Sequence, residues 1–169
     1  VQQEVIDATL DSAIRSLAVA FVLTAIVLLG SYRLLEGRAV YGLLNLVPVL
    51  VTVGLLLASM RLLGIPLTPI NAPILSISIG LGVDYTVHFV HRFVDEYEKR
   101  DTDSALAATV AGTGGALTGS MVTTVAGIGV LIVALIPLIQ EFGILIALGI
   151  GYAFLSSLLV TPSVIVVWE

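Results

Sequence analysis

The sequence of 169 residues contains no cysteine and few charged residues. Without cysteine, it has no disulfide framework and no thiolate metal site. Charged residues make up only 11% of the chain, against about 25% in soluble domains, whereas apolar residues make up 58%. The net charge of −5 opposes broad attraction to nucleic acid or to anionic lipid headgroups. These shortages exclude an ordinary soluble domain and indicate a membrane protein with several spans.

The charged residues divide the chain into long uncharged runs. Each run is near or above the roughly 20 residues that a helix needs to cross about 30 Å of hydrocarbon. The sequence therefore predicts an all-α membrane protein with a five-helix transmembrane bundle, its spans at about 13–32, 39–60, 72–92, 116–136 and 143–167. We expect residues 1–12 to be the end of a preceding extracytoplasmic region, residues 13–169 to form the bundle, and the chain to be cut from a longer protein.

The segment 93–115 is predicted to be an interfacial or cytoplasmic connection. The uncharged run 104–140 would be about 55 Å long as one helix, too long for one crossing, and Gly112, Gly114 and Gly115 offer a break. Asp103 or Ser104 would cap a short interfacial helix before that break. Helical spacing of apolar residues up to Tyr97 predicts that the third span bends along the interface, with a solvated charged loop as the alternative.

Five of the seven Lys and Arg residues fall in two loops on one side of the predicted bundle. By the positive-inside rule these loops are cytoplasmic, which places the start of the chain outside and Glu169 inside. The residues in these loops are Arg33, Arg38, Arg92, Lys99 and Arg100, whereas Arg15 and Arg61 lie on the opposite side.

Asp84 interrupts the third span about 12 residues, or roughly 18 Å, after Ala72, which places it near the bilayer centre. A charge at that depth costs at least about 2.5 to 3.5 kcal/mol, and such residues usually mark an ion or proton path. Desolvation favours the neutral carboxyl, so Asp84 is predicted to load and unload a proton. The alternative is a permanently neutral Asp that acts as interhelical hydrogen-bond glue.

Polar residues extend from Asp84 towards the cytoplasm on one helix face, with Tyr85 on its flank. His88, one turn away, is a candidate proton relay because imidazole titrates near pH 6.5. His91 lies on the same helix face, about one further turn towards the predicted cytoplasmic side. The competing interpretation is that the histidines and Arg92 anchor the helix at the wet interface.

The depth count also selects the fourth span as a partner of the Asp84 helix. Counting back about 12 residues from its predicted end at Ile136 brings Thr123 and Thr124 level with Asp84, where a hydroxyl can contact the carboxyl. The alternative is plain packing, since small residues allow close helix approach. The glycines assigned to helix packing are Gly80 and Gly82 on the third span and Gly119 and Gly127 on the fourth.

Several catalytic motifs are absent from the sequence. It contains no Gly-Lys-Ser/Thr phosphate loop, no HExxH, and no second carboxylate within the spans to pair with Asp84. We therefore expect no enzymatic activity, no metal site and no cofactor other than a proton gradient.

Three segments in this order carry a resemblance to a known family: GLGVDYTVHFVHRF, GTGGALTGSMVTTVAGIGVLIVA and QEFGILIALGIGYAFLSSLLVTPSVIV. The chain resembles the resistance-nodulation-division (RND) transporter superfamily, in the branch of large mycobacterial membrane proteins and hydrophobe exporters. The five spans resemble spans two to six of one RND half. The resemblance assigns proton translocation to Asp84 and Tyr85, which match the family's central Asp-Tyr pair.

The resemblance implies a proton-driven exporter of hydrophobic or lipidic substrates in the inner, or cell, membrane of a prokaryote. Its expected partners are a second transmembrane half, an extracytoplasmic domain, membrane lipids and the substrate, with no nucleic acid. Two alternatives remain open. One is a lipid- or sterol-binding module without proton coupling, which has no evident need for Asp84, and the other is a structural scaffold in which Asp84 is freely replaceable.

Overall fold

The computed structural model describes residues 2–35, 37–68 and 71–168, and these residues form helices and no strand. Five helical segments are long and apolar enough to cross a membrane, which confirms the predicted fold class. Val1 and Glu169, whose sides of the membrane were predicted, lie outside the described residues. The helices are α1 (Gln2–Leu35), α2 (Val40–Leu63), α3 (Ala72–Tyr97), α4 (Thr102–Gly129), α5 (Pro137–Leu155) and α6 (Thr161–Trp168).

The predicted break at Gly112, Gly114 and Gly115 is wrong, because α4 runs through all three glycines without interruption. A break inside hydrocarbon would leave backbone N–H and C=O groups without partners, at several kcal/mol each, whereas a helical glycine costs only about 1 kcal/mol. The cap also differs from the prediction. Asp101 Oδ2, rather than Asp103 or Ser104, accepts the hydrogen bond at the N-terminus, from Ser104 N at 3.2 Å.

The part of α3 that follows Asp84 packs into the folded core. The helix continues to Tyr97, and Val90 and Phe93 are buried against α1, α2 and the end of the last span. Phe93 also stacks on Tyr97, with ring centroids 5.4 Å apart. The apolar spacing that predicted an interfacial bend therefore reflects packing against neighbouring helices, and of the predicted connection 93–115 only residues 98–101 lie between helices.

Helix α3 is the centre of the bundle and contacts each of the other four spans. On its buried face, Ile74 packs with Leu56 of α2 and Leu145 of α5. Ile79 packs with Val49 of α2, and Phe89 belongs to the cluster that includes Leu44 of α2. By contrast, α1 and α4 are largely exposed along their apolar windows. Helices α1 and α4 therefore present apolar surfaces suited to contact with lipid, whereas α3 is packed at the centre of the bundle.

Three glycines allow close approach between elements, and none of them is among the four glycines assigned above to helix packing. A Cβ placed at Gly42, Gly143 or Gly149 would lie within 3 Å of an atom of a neighbouring segment. Gly82 makes ordinary contacts with α2 and α5, as expected of a packing residue. A Cβ at Gly80, Gly119 or Gly127 would meet no atom of the described residues within 4 Å, so the packing role of these three stays a prediction.

The last span contains a π-helix, Ser156–Val160, between α5 and α6. Thr161 N–H donates to Ser156 O, the i→i+5 bond of a π-turn. Pro162 follows in the first turn of α6 and has no N–H to donate to the preceding turn, which favours the wider turn. The fifth span is thus one continuous helical rod, Pro137–Trp168, with a local widening in its C-terminal half.

Candidate functional site

Asp84 lies near the middle of the 26-residue helix α3, in one wall of a cavity of about 380 Å³ between α3 and α4. From α3 the wall is completed by Tyr85, His88, His91, Arg92 and Asp95. From α4 it is completed by Thr113, Ala116, Leu117 and Ser120. The residues from α3 recur every three or four positions, so one helix face carries the polar groups from Asp84 towards the C-terminal end of α3.

Asp84 and His88 are close enough to interact. His88 Nε2 lies 3.5 Å from Asp84 Oδ1, one helical turn away, and both side chains are largely exposed in this bundle, by 63% and 71%. At this separation a carboxyl and an imidazole exchange a proton directly after a small adjustment or through one water molecule. The structure thus brings the predicted relay residue to the predicted carrier.

Tyr85 is buried, unlike its neighbour Asp84, and is held from two sides. Its ring packs edge-on against Phe154 of α5, with centroids 6.2 Å apart. Its side chain also lies near Ser120 of α4, with which it lines the cavity. The Asp-Tyr pair is therefore placed so that the tyrosine is fixed between α4 and α5 while the carboxyl remains open to the cavity.

Thr123 and Thr124 are not among the residues that line the cavity. Thr123 Oγ1 donates to Gly119 O at 2.9 Å and Thr124 Oγ1 donates to Ser120 O at 2.8 Å, both within α4. The depth count assumed that α4 ends level with the start of α3. Instead, the helical span ends with the 3₁₀ turn Val130–Val133, before Ile136, so the count shifts back along α4 to Ser120, which lines the cavity with Asp84 and Tyr85. The depth count from the sequence missed Ser120 for this reason.

Arg92 lies in the cavity wall towards the C-terminal end of α3 and is fixed by a buried acid. Arg92 Nη2 lies 2.7 Å from Glu96 Oε1, and the Glu96 side chain is only 6% exposed. Arg100 Nε lies 3.2 Å from Glu96 Oε2 but outside hydrogen-bonding geometry. On its other side, Arg92 lies along Gly112, where an added Cβ would be 3.5 Å from Arg92 Nε.

This arrangement places an arginine, paired with a buried carboxylate, between Asp84 and the C-terminal end of α3. Sequence reasoning treated Glu96 as part of a charged loop and missed its burial. The available signal was the spacing of Arg92, Glu96 and Arg100 at successive i, i+4 positions, which predicts ion pairs along one helix face.

These features define a multi-pass membrane bundle with an intramembrane carboxyl in a polar cavity. The chain matches the MMPL family over residues 1–168 and belongs to it, which confirms the resemblance to the RND superfamily. It is also 36% identical, over 129 residues, to a relative from Methanocaldococcus jannaschii that is named as membrane protein MJ1562. The alignment covers 76% of this chain and 33% of that relative, so the chain spans about a third of the length of the relative it matches.

Proposed function

We propose that this bundle is the membrane domain of a proton-driven RND-type exporter of hydrophobic or lipidic substrates, with Asp84 as the proton carrier. Membership of the MMPL family supports a transporter-type or lipid-related membrane function. The observation that carries the finer proposal is the position of Asp84, in the middle of α3, beside His88 and in the wall of the polar cavity.

The exposure of Asp84 supports the proposal that a second transmembrane half covers this face of α3. A carboxyl that is 71% exposed at mid-span would face hydrocarbon at a cost of about 2.5 to 3.5 kcal/mol or more. The adjacent face of α4 is also uncovered, and Gly80 and Gly119 meet no neighbouring atom. A second transmembrane half that packs on this face would enclose Asp84 and use those glycines for close approach. We propose the same role for Gly127.

In the proposed mechanism, Asp84 takes a proton on the outer side and passes it inward. Neutralisation lowers the cost of burying the carboxyl and so favours one packing of the two halves over the other. Transfer to His88 Nε2 and release past His91 and Asp95 restores the charged carboxylate. Tyr85 donates a hydrogen bond in this cycle, and Thr123 or Thr124 would reach the site only after a rotation of α4.

The proposed orientation follows from the basic residues. Arg33, Arg38, Lys99 and Arg100 lie at the end of α1, before α2 and after α3, on one side of the bundle. The positive-inside rule makes this side cytoplasmic in the cell membrane of a prokaryote and places the start of α1 outside.

The experiment is a measurement of proton flux in proteoliposomes that contain the full-length protein and a trapped pH-sensitive dye. Asp84→Asn keeps the shape of the neutral carboxyl but exchanges no proton, so an imposed pH gradient should then decay at the rate of empty vesicles. Asp103→Asn at the exposed start of α4 is the matched control and should leave the flux unchanged. Flux at the parental rate in Asp84→Asn would contradict the proposal.

A lipid- or sterol-binding module without proton coupling is the second candidate. It is favoured by an apolar cavity of about 240 Å³ between α1 and α3, lined by Val27, Leu28, Ser31, Tyr32, Val83, Val87 and His91. A fluorescent sterol that binds the protein with equal affinity before and after Asp84→Asn, in the absence of any proton flux in the parental protein, would favour this candidate.

A further inference from the structure

Three buried side-chain atoms lack a hydrogen-bond partner among the described residues: Asn45 Oδ1, Ser156 Oγ and Glu96 Oε2, the last of which has Arg100 Nε at 3.2 Å. The first two belong to neutral side chains that the proposed proton path does not use. Asn45 on α2 and Ser156 in the π-helix are 0% and 2% exposed. Asn45 Nδ2 donates to Tyr41 O at 2.8 Å, but Asn45 Oδ1 and Ser156 Oγ have no hydrogen-bond partner among the described residues. Because buried polar groups in folded proteins are nearly always paired, two orphans in one span region point to a bound ligand.

Helix register places the two groups at the same level. A Cβ placed at Gly82 would lie 3.9 Å from Val49 of α2 and 3.8 Å from Ala153 of α5, which makes these residues one packing layer. Asn45 precedes Val49 by one turn, and Ser156 follows Ala153 by about one turn. Since α2 runs antiparallel to the last span, both steps move towards the cytoplasm and end in the next layer.

Helix phase turns Ser156 towards the groove between α2 and α3. A Cβ at Gly149 would lie 2.6 Å from Ser78 Oγ of α3 and 3.7 Å from Leu56 of α2, so this face of the last span meets both helices. Ser156 follows Gly149 by about two turns and therefore lies on the same face. The π-helix accordingly contacts both α2 and α3.

The groups of this layer are neutral. Among the described residues Glu96, at the cytoplasmic end of α3, is the only buried charged side chain. An amide oxygen and a hydroxyl, with no carboxylate, suit a water molecule rather than a metal cation.

We infer that this layer binds an internal water molecule between α2 and the π-helix. The water donates to Asn45 Oδ1 and accepts from the Ser156 hydroxyl. Buried water molecules typically make about two to four hydrogen bonds. The contact between α2 and the last span is then made through an exchangeable molecule next to a π-turn, so a small shift of one helix along the other keeps every polar group paired.

The decisive measurement is hydroxyl-radical footprinting of the full-length protein in lipid nanodiscs, with the radicals generated from the water itself. Leu44 and Leu46 flank Asn45 and are buried, so they are modified only if water is bound beside them. We expect labelling of both in the parental protein and a several-fold loss in the double variant Asn45→Leu/Ser156→Ala. Labelling of Leu135, which is wholly exposed, should not change.

A matched variant keeps the test specific. Thr52→Val also removes a buried polar group of α2, but Thr52 Oγ1 donates to Pro48 O at 2.9 Å and needs no water. It should leave the labelling of Leu44 and Leu46 unchanged. If the double variant does not fold, Asn45→Ala replaces it.

A density map of the full-length protein provides a second test of the bound water. Ordered density between Asn45 Oδ1 and Ser156 Oγ supports the inference. A direct hydrogen bond between these two atoms, with equal footprinting in the parental protein and the double variant, would overturn it.

Discussion

Gly149 of α5 lies directly against Ser78 of α3. A Cβ at Gly149 would be 2.6 Å from Ser78 Oγ and 3.3 Å from Ser78 Cβ, closer than van der Waals contact allows. Ser78 is itself buried, and its Oγ donates to Ile74 O at 2.8 Å, so the hydroxyl is fixed. The missing side chain at position 149 thus sets the distance between the central helix and the last span.

Gly149→Ala is therefore expected to destabilise the bundle by about 1 to 3 kcal/mol, the usual cost of overpacking. The matched control is Gly151→Ala in the same helix, where an added Cβ meets no atom within 4 Å. It should leave stability unchanged or raise it by up to about 1 kcal/mol, because alanine is the better helix former. Thermal unfolding of both variants in detergent checks the difference, and equal midpoints would contradict the packing.

The spans and the position of Asp84 could be predicted from the sequence because the cost of charge in hydrocarbon acts on each segment separately. The residues against which each helix packs could not be predicted in this way. Gly119 and Gly149 both belong to rows of small residues, yet only Gly149 meets a neighbour within the chain, since helix rotation is set by the whole bundle. The position of Ser120 beside Tyr85 depends on the residue at which the fourth span ends, Val133 rather than Ile136, and residue counting does not supply that end.

Glu96 is expected to stabilise the end of the bundle near the C-terminus of α3 through its two arginine partners. Glu96→Gln removes the charge that holds Arg92 at 2.7 Å and Arg100 at 3.2 Å. Both arginine side chains are about half exposed and can turn to water, so we expect a loss of about 1 to 3 kcal/mol, the range for hydrogen bonds to charged groups. Arg100→Gln should cost less, since Arg100 lacks hydrogen-bonding geometry to Glu96. Denaturant or thermal unfolding measures both, and a larger loss for Arg100→Gln would contradict this assignment.

The topology is expected to place the α3–α4 and α4–α5 connections on opposite sides of the membrane. Glu98 follows α3 and Leu135 lies between α4 and α5, and both side chains are exposed. Because this segment has no cysteine, Glu98→Cys and Leu135→Cys each introduce one defined labelling site. In a full-length protein without other accessible cysteines, a membrane-impermeant maleimide on intact cells should label only the cysteine at 135. Labelling of both would refute the five-span topology.

Asp101 is expected to stabilise the start of α4 in a pH-dependent way. Hydrogen bonds from the Ser104 side chain and the Ser104 backbone N–H hold the pKa of Asp101 below its ordinary value. Because the folded-state pKa is the lower one, the stabilisation is fully present above the pKa of the unfolded chain, about 3.9, and is lost as the pH falls through the folded value. Asn is an equally good N-cap but does not titrate, whereas Ala does not cap. The unfolding midpoint of Asp101→Ala should therefore lie below that of the parental protein at neutral pH, and this difference between the two midpoints should disappear in acid.

The control is the pair of variants Asp101→Asn and Asp101→Ala. The difference between their unfolding midpoints should stay constant with pH, since neither variant titrates at this position. A parental-to-Ala difference that stays the same from neutral pH to below pH 3 would show that the Asp101 carboxylate does not cap α4.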